Sequence, residues 1–162
     1  MVDRVIFVLV FASAIGCGLI AGAFFAFSTF VMRALGRIPA AQGIAAMQSI
    51  NVVVINPIFL GVFLGTAGAC ALLAGSAAVA WHSVCALVGS LVYLVGTFGV
   101  TMVFNVPRNN TLARIDPASA EAELVWRRYV REWTAWNHVR TVAAVGAAAL
   151  LIGALCLKRV GS

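Results

Sequence analysis

The sequence has few charged residues. They make up 10% of the 162-residue chain, with 5 Asp and Glu against 11 Lys and Arg, whereas a soluble domain averages about 25% charged residues. Hydrophobic residues make up 63% of the chain and the mean hydropathy is +1.05. A soluble fold of this size could not bury so much apolar surface. We therefore predict an all-α integral membrane protein, a four-helix bundle whose solvent is the lipid bilayer.

The sequence also lacks the patterns that mark several functional classes. The net charge of +6 contains no basic run, so binding of nucleic acid is not expected. No HExxH, CxxC or two-His-one-carboxylate spacing is present, and His82 is predicted to lie on the side of the membrane opposite His138. A Ser–His–Asp set is missing too. No cofactor is predicted, although a haem or a single metal ion at His138 stays open.

The four cysteines give no sign of a ligand set. They are spread along apolar stretches and are predicted to behave as small buried hydrophobic residues: Cys17, Cys70, Cys85 and Cys156. A disulfide between Cys70 and Cys85 stays open, but both would lie in lipid-facing helices.

Apolar runs predict four membrane spans in a single domain covering residues 1–162. The spans are expected at about 5–31, 52–75, 78–104 and 137–157. Amphipathic segments at 39–51 and 117–136 are predicted to extend the second and fourth helices beyond the bilayer on one side. Gly18 and Gly22 would let another helix approach the first span closely, and a homo-oligomer is left open.

Prolines set two further expectations. Pro57, inside an apolar run, predicts a kink and hence one bent helix from about 39 to 76. Asp116 as N-cap and Pro117 at the first helical position predict that the fourth helix begins there and runs to about 157.

The basic residues are unevenly distributed between the two predicted sides. The side with both termini has three, and the side with the large loops has seven: Arg4, Lys158 and Arg159 against Arg33, Arg37, Arg108, Arg114, Arg127, Arg128 and Arg131. The positive-inside rule places the large loops in the cytoplasm and both termini outside.

Polar and aromatic residues are concentrated in residues 133–141, where a charged segment enters an apolar one. Their i, i+4, i+7, i+8 spacing puts Trp133, Asn137, Arg140 and Thr141 on one helix face. Trp136 and Arg140 are spaced for a cation–π contact. Arg140 is a functional candidate because it lies near membrane depth; it could instead extend to lipid headgroups. His138 is either a general base or a hydrogen-bonded interface residue.

Four blocks of the sequence resemble the anthrone-oxygenase-like family of small four-span membrane proteins, many of them bacterial. They are GAFFAFSTFVMRAL (22–35), PAAQGIAAMQSIN (39–51) with NP at 56–57, TMVFNVPRNNTLARIDP (101–117) and WTAWNHVRT (133–141). The resemblance covers nearly the whole chain and implies a four-helix bundle, for which we expect a bacterial inner membrane. The family's named activity is oxidation of an anthrone methylene to a quinone by oxygen, without an evident metal or flavin.

The resemblance also implies a set of site residues. Carried over block by block, they are Asn105, Pro107, Asn109, Trp133, Trp136, Asn137, His138 and Arg140, with Asn51, Asn56 and Pro57 as second choices. His138 is the expected base, and Asn137, Asn105 or Arg140 would donate the hydrogen bonds that stabilise a substrate enolate. The tryptophans and the other asparagines would bind the substrate, an apolar aromatic small molecule. The alternative is a non-catalytic binding, assembly or small-transporter component whose polar cluster only shapes the bundle.

Overall fold

The computed structural model describes residues 2–80 and 84–160, and the regular structure in those ranges is entirely helical. The α-helices are α1 (Val2–Ala26), α2 (Met32–Leu35), α3 (Ala40–Val53), α4 (Pro57–Ala80), α5 (Val84–Val92), α6 (Val106–Leu112) and α7 (Ala122–Val160). Three π-helical segments lie within or between the longer helices: Phe27–Val31, Tyr93–Gly99 and Thr101–Asn105. Trp81 and His82 lie outside the described residues.

Four stretches of the described chain are long and apolar enough to cross a membrane. They are Arg4–Leu35, Pro57–Ser76, Val84–Leu112 and Ala122–Leu157. Large apolar side chains on them face outward, among them Phe30, Val95 and Val142. In water such surfaces would be strongly unfavourable, whereas lipid solvates them. The prediction of an all-α bundle with four membrane helices is confirmed.

The bundle is organised around α7, which packs against α1, α5 and the first π-helical segment. Small residues permit the closest approaches. A Cβ added at Gly96 would lie 2.6 Å from the Cβ of Ala143, and one added at Gly89 would lie 3.2 Å from the carbonyl oxygen of Ala147. These glycines therefore bring α5 and the π-helical segment Tyr93–Gly99 directly against α7.

Two hydrophobic cores follow from this arrangement. The first joins the four spans and includes Cys17, Ile20, Tyr93 and Leu151. The second lies at one end, where α3 and α6 cover the N-terminal half of α7, and includes Met32, Met47, Ile44, Leu112 and Trp126. The polar residues of 133–141 lie where these two cores meet.

The prediction of one bent helix from about 39 to 76 is wrong. The α3 helix ends at Val53, and α4 begins at Pro57 and continues to Ala80. Asn56 explains the break: its Oδ1 accepts hydrogen bonds from the backbone N–H groups of Ile58 (3.1 Å) and Phe59 (3.0 Å), while its Nδ2 donates to the Val53 carbonyl (2.9 Å). Asn56 thus caps a new helix whose first residue is proline, where the missing N–H costs nothing.

The fourth long helix begins later than predicted. Asp116 closes a turn, because its Oδ1 accepts from the N–H of Ala118 (2.9 Å) and its carbonyl accepts from the N–H of Ser119 (3.0 Å). The α7 helix starts only at Ala122. Asp116 is therefore a turn residue, and the helix start predicted at Pro117 is wrong.

Candidate functional site

The site is built on one face of α7. Trp133, Asn137, Arg140 and Thr141 are all buried, as their helical spacing predicts. Trp133 belongs to the end core, while Asn137, Arg140 and Thr141 are polar side chains buried among the spans. Burial of polar groups in such a place requires hydrogen-bond partners.

Asn137 is the centre of this hydrogen-bond network. It is fully buried, and its Nδ2 donates to the Phe24 carbonyl (2.8 Å) and to the Ser28 hydroxyl (2.6 Å). Its Oδ1 accepts from Nε of Arg140 (2.8 Å). The Thr141 hydroxyl donates to the Asn137 carbonyl (2.6 Å), so its 3.0 Å contact with Ser28 has Ser28 as the donor. The network joins α7 to the first span.

Arg140 lies between two aromatic rings and is only 5% exposed. Its Cζ is 3.8 Å from the centroid of the Phe24 ring and 4.8 Å from that of Trp133. Its Nη1 is 3.4 Å from the Thr101 hydroxyl, a long hydrogen bond. The ion pairs found in the described residues join other arginines to Glu123 and Glu132, so no carboxylate neutralises Arg140 there.

A buried guanidinium in this setting attracts an anion or a polarised carbonyl oxygen. It has five N–H donors in a planar fork, and the contacts above use Nε and, weakly, Nη1. Cation–π contacts stabilise its charge by about 2 kcal/mol where both groups are desolvated. The remaining donors can therefore bind an oxygen that carries negative charge.

An aromatic column leads to Arg140 from the end core. The rings of Trp126 and Tyr129 stack with centroids 5.7 Å apart, and those of Tyr129 and Trp133 stack at 6.2 Å. Asn109 joins the last two, since its Oδ1 accepts from the Tyr129 hydroxyl and from Trp133 Nε1, both at 2.8 Å. Asn105 donates from Nδ2 to the Trp133 carbonyl (3.2 Å), and its buried Oδ1 has no partner within residues 2–80 and 84–160.

The π-helical segments supply the polar residues that face α7 from the other spans. Ser28 lies in Phe27–Val31, Thr97 in Tyr93–Gly99, and Thr101 and Asn105 in Thr101–Asn105. A π turn inserts a residue into the helix and so changes which side chains face inward; such turns are frequent at functional sites. Ser28, Thr97 and Thr101 are not among the site residues predicted from the sequence. An isolated hydroxyl residue within an apolar span is the pattern that could have indicated them.

Comparison with known proteins identifies the family. A family model described as anthrone oxygenase matches residues 53–150, well over half of the chain. The chain belongs to the anthrone oxygenase family. The matched residues contain the blocks at 101–117 and 133–141, whereas those at 22–35 and 39–51 lie outside them. No curated protein and no solved structure matches the chain.

Other residues that the anthrone oxygenase resemblance selected are placed less centrally. Asn51 is half-buried near the Tyr129 hydroxyl, and its Nδ2 has no partner in the described part of the chain. Asn56 uses its side chain to cap α4, away from the network on α7. The predicted contact between Trp136 and Arg140 is wrong: Trp136 stacks on Phe104, with centroids 3.5 Å apart.

His138 is not brought into the network. It is exposed, and no hydrogen bond of its side chain is found among the described residues. One residue along an α-helix rotates the side chain by about 100°, so His138 points about 100° away from Asn137 and about 160° away from Arg140. Between residues 2–80 and 84–160, no three His, Cys, Asp or Glu side chains converge on a point that could hold a metal ion.

Proposed function

We propose that this member of the anthrone oxygenase family is a membrane-embedded oxygenase acting on a lipid-soluble anthrone, phenolic or quinone-like molecule. The observation that supports it is the buried Arg140 guanidinium, held against the rings of Phe24 and Trp133 without a carboxylate partner in the described residues. A planar aromatic ketone carries both an oxygen that the guanidinium can bind and an aromatic face for the neighbouring rings.

The chemistry needs a stabilised enolate and no external reductant. Loss of a proton from the methylene of an anthrone places negative charge on its carbonyl oxygen, where the positive charge of Arg140 stabilises it. The enolate transfers one electron to dioxygen; the carbon radical and superoxide then combine, with a proton, to a hydroperoxide. Loss of water from the hydroperoxide leaves a carbonyl. One CH₂ and one O₂ become one C=O and one H₂O, so atoms and electrons balance.

The proton acceptor is proposed separately from the enolate site. His138 remains the candidate base by residue type. From an exposed position it can accept a proton only from a molecule at the outer surface of α7, whereas Arg140 acts from inside the bundle. If the oxidation rate of His138→Ala equals that of the wild type, another acceptor such as water takes the proton.

The test compares two arginines on α7. Purified Arg140→Met is assayed in detergent for oxygen uptake and quinone absorbance with an emodin-type anthrone, beside Arg131→Met, which removes the same charge from an exposed site. We expect kcat/KM to fall by about 10²- to 10³-fold for Arg140→Met and by less than about twofold for Arg131→Met. Equal activity of a folded Arg140→Met protein and the wild type would remove Arg140 from the reaction.

The alternative is a non-catalytic binding, assembly or small-transporter component. The observation that favours it is the closed bonding of Asn137, whose three side-chain hydrogen bonds all end within the bundle, as a structural junction requires. This alternative predicts that Arg140→Met lowers the melting temperature, while the wild type and the variant show the same background oxygen uptake.

We also propose that the end of the bundle carrying α3 and the N-terminal half of α7 faces the cytoplasm, from its excess of Lys and Arg. Ser49, exposed on α3, is replaced by Cys in a background without the native cysteines. A membrane-impermeant maleimide should label it only in permeabilised cells. Labelling of intact cells would reverse the orientation.

A further inference from the structure

We propose that Cys17 and Cys70 are a redox-active pair that closes to a disulfide and joins the first and second membrane helices. Cys17 lies on α1 and Cys70 on α4, and both side chains are fully buried. Both belong to the core that joins the four spans, where the two thiols are neighbours. They take no part in the proposed oxygenase chemistry.

The packing of α1 against α4 explains why the thiols meet. Phe24 contacts Phe63 with ring centroids 6.4 Å apart, and Cys17 meets Cys70, so the two helices run antiparallel. Beside the pair, a Cβ added at Gly16 would collide with the side chain of Thr66. A disulfide needs Cα atoms about 4.4–6.8 Å apart. Because Cα atoms lie about 2.3 Å from their helix axis, the two axes must stay within about 9–11 Å of each other. The missing side chain of Gly16 permits this spacing beside Thr66.

The surroundings favour a neutral product. The polar neighbours of Cys70 are the uncharged hydroxyls of Ser13 and Ser90. The same core contains Ile20 and Leu73. A soft ion such as Cu(I) between two thiolates would leave a net negative charge in this apolar core, whereas a disulfide carries none.

Closure of the pair is a two-electron oxidation. Two S–H bonds break and one S–S bond forms, releasing two electrons and two protons. Because the pair is buried among membrane helices, a lipid-soluble oxidant of the quinone class reaches it more readily than a water-soluble one. The quinone accepts both electrons and both protons and becomes the hydroquinone, and a dithiol reductant reverses the step.

The experiment uses the full chain with the other two cysteines, Cys85 and Cys156, changed to serine. The protein is treated in detergent with a fully substituted benzoquinone, which cannot add thiols, then denatured, alkylated and cut with trypsin at Arg33 and Arg37. We expect the peptides carrying Cys17 and Cys70 to remain joined until a reductant is added. Separate, alkylated peptides, or a link only between two chains, would overturn the proposal. So would stoichiometric copper in the purified wild type that is lost in Cys17→Ser.

A matched pair of glycines tests the geometric reason. Gly16→Ala should lower the yield of the joined peptides by at least about tenfold, because the helices must separate. Gly18→Ala, whose Cβ would meet nothing within 4 Å, should leave the yield unchanged. If Gly16→Ala does not fold, removal of the obstructing side chain with Thr66→Ala should restore both folding and the joined peptides. Equal yields from folded Gly16→Ala and Gly18→Ala would contradict the close approach as the cause.

Discussion

Replacing Asn137 by Asp would separate the electrostatic role of Arg140 from its structural role. The two side chains have the same shape, and the new carboxylate would occupy the position of the amide oxygen that lies 2.8 Å from Nε of Arg140. The positive charge, uncompensated in the wild-type contacts, would then have a partner. The site changes from cationic to neutral while the bundle keeps its packing.

The expected effect on activity is large. Charge centres about 4 Å apart interact by about 4 kcal/mol at an effective dielectric constant of about 20. Arg140 stabilises a bound enolate by an energy of this order. In Asn137→Asp the new carboxylate neutralises the charge of Arg140 and also repels the enolate. Loss of one such electrostatic contact costs about 2.7–4 kcal/mol in known enzymes. We therefore expect kcat/KM to fall by about 10²- to 10³-fold.

The expected effect on stability is small. Asp cannot donate to the Phe24 carbonyl, and Ser28 must turn its proton from Thr141 toward the carboxylate. Two hydrogen bonds are therefore lost, each worth about 0.6 kcal/mol in a membrane bundle. The new ion pair offsets this loss. Asn137→Ala is the contrasting variant: it loses three bonds, one of them to a charged group, for about 3 kcal/mol in total.

The assay measures both properties on the same purified proteins. Oxygen uptake with an anthrone substrate gives kcat/KM, and thermal unfolding in detergent gives the stability. The reasoning predicts an inactive, stable Asn137→Asp and an inactive, destabilised Asn137→Ala. If Asn137→Asp unfolds like the wild type and oxidises the substrate at the wild-type rate, the charge of Arg140 is not used, and the proposed enolate site is refuted.

Two further predictions concern the fold. Gly43→Ala places a Cβ 2.6 Å from Cζ2 of Trp126, and this overpacking should destabilise the protein by about 1–3 kcal/mol. The control is Gly61→Ala, whose Cβ would meet nothing within 4 Å, so this variant should be neutral or stabilising. Thermal unfolding in detergent compares the two variants. Asn56→Ala removes the cap of α4 and should cost about 1 kcal/mol, measured in the same way. An unchanged melting temperature would mean that Pro57 alone starts the helix.

The composition and the residue spacing are sufficient to predict the four membrane helices and the face of α7 that carries the site. The 63% of hydrophobic residues fall in runs of about 20, the length at which an α-helix crosses a bilayer with its backbone hydrogen bonds satisfied. A period of 3.6 residues then places Trp133, Asn137 and Arg140 on one side of α7. Both are local properties. For this reason, the four helices and the buried polar face follow from the sequence alone.

The tertiary structure decided which partners those residues have. Spacing alone predicted a cation–π contact between Trp136 and Arg140. The ring whose centroid lies 3.8 Å from Cζ of Arg140 is instead that of Phe24, from the first span. The π turns that aim Ser28 and Thr101 at α7 depend on packing between helices, which no local pattern encodes.

The cysteines show the same limit. Cys17 and Cys70 are 53 positions apart in the sequence, and their meeting depends on the closeness of two helices at Gly16 and Thr66. Residue type and spacing determine which side chains a helix buries. Only the register between helices determines which side chains they meet, because that register follows from the fit of all the contacting surfaces at once.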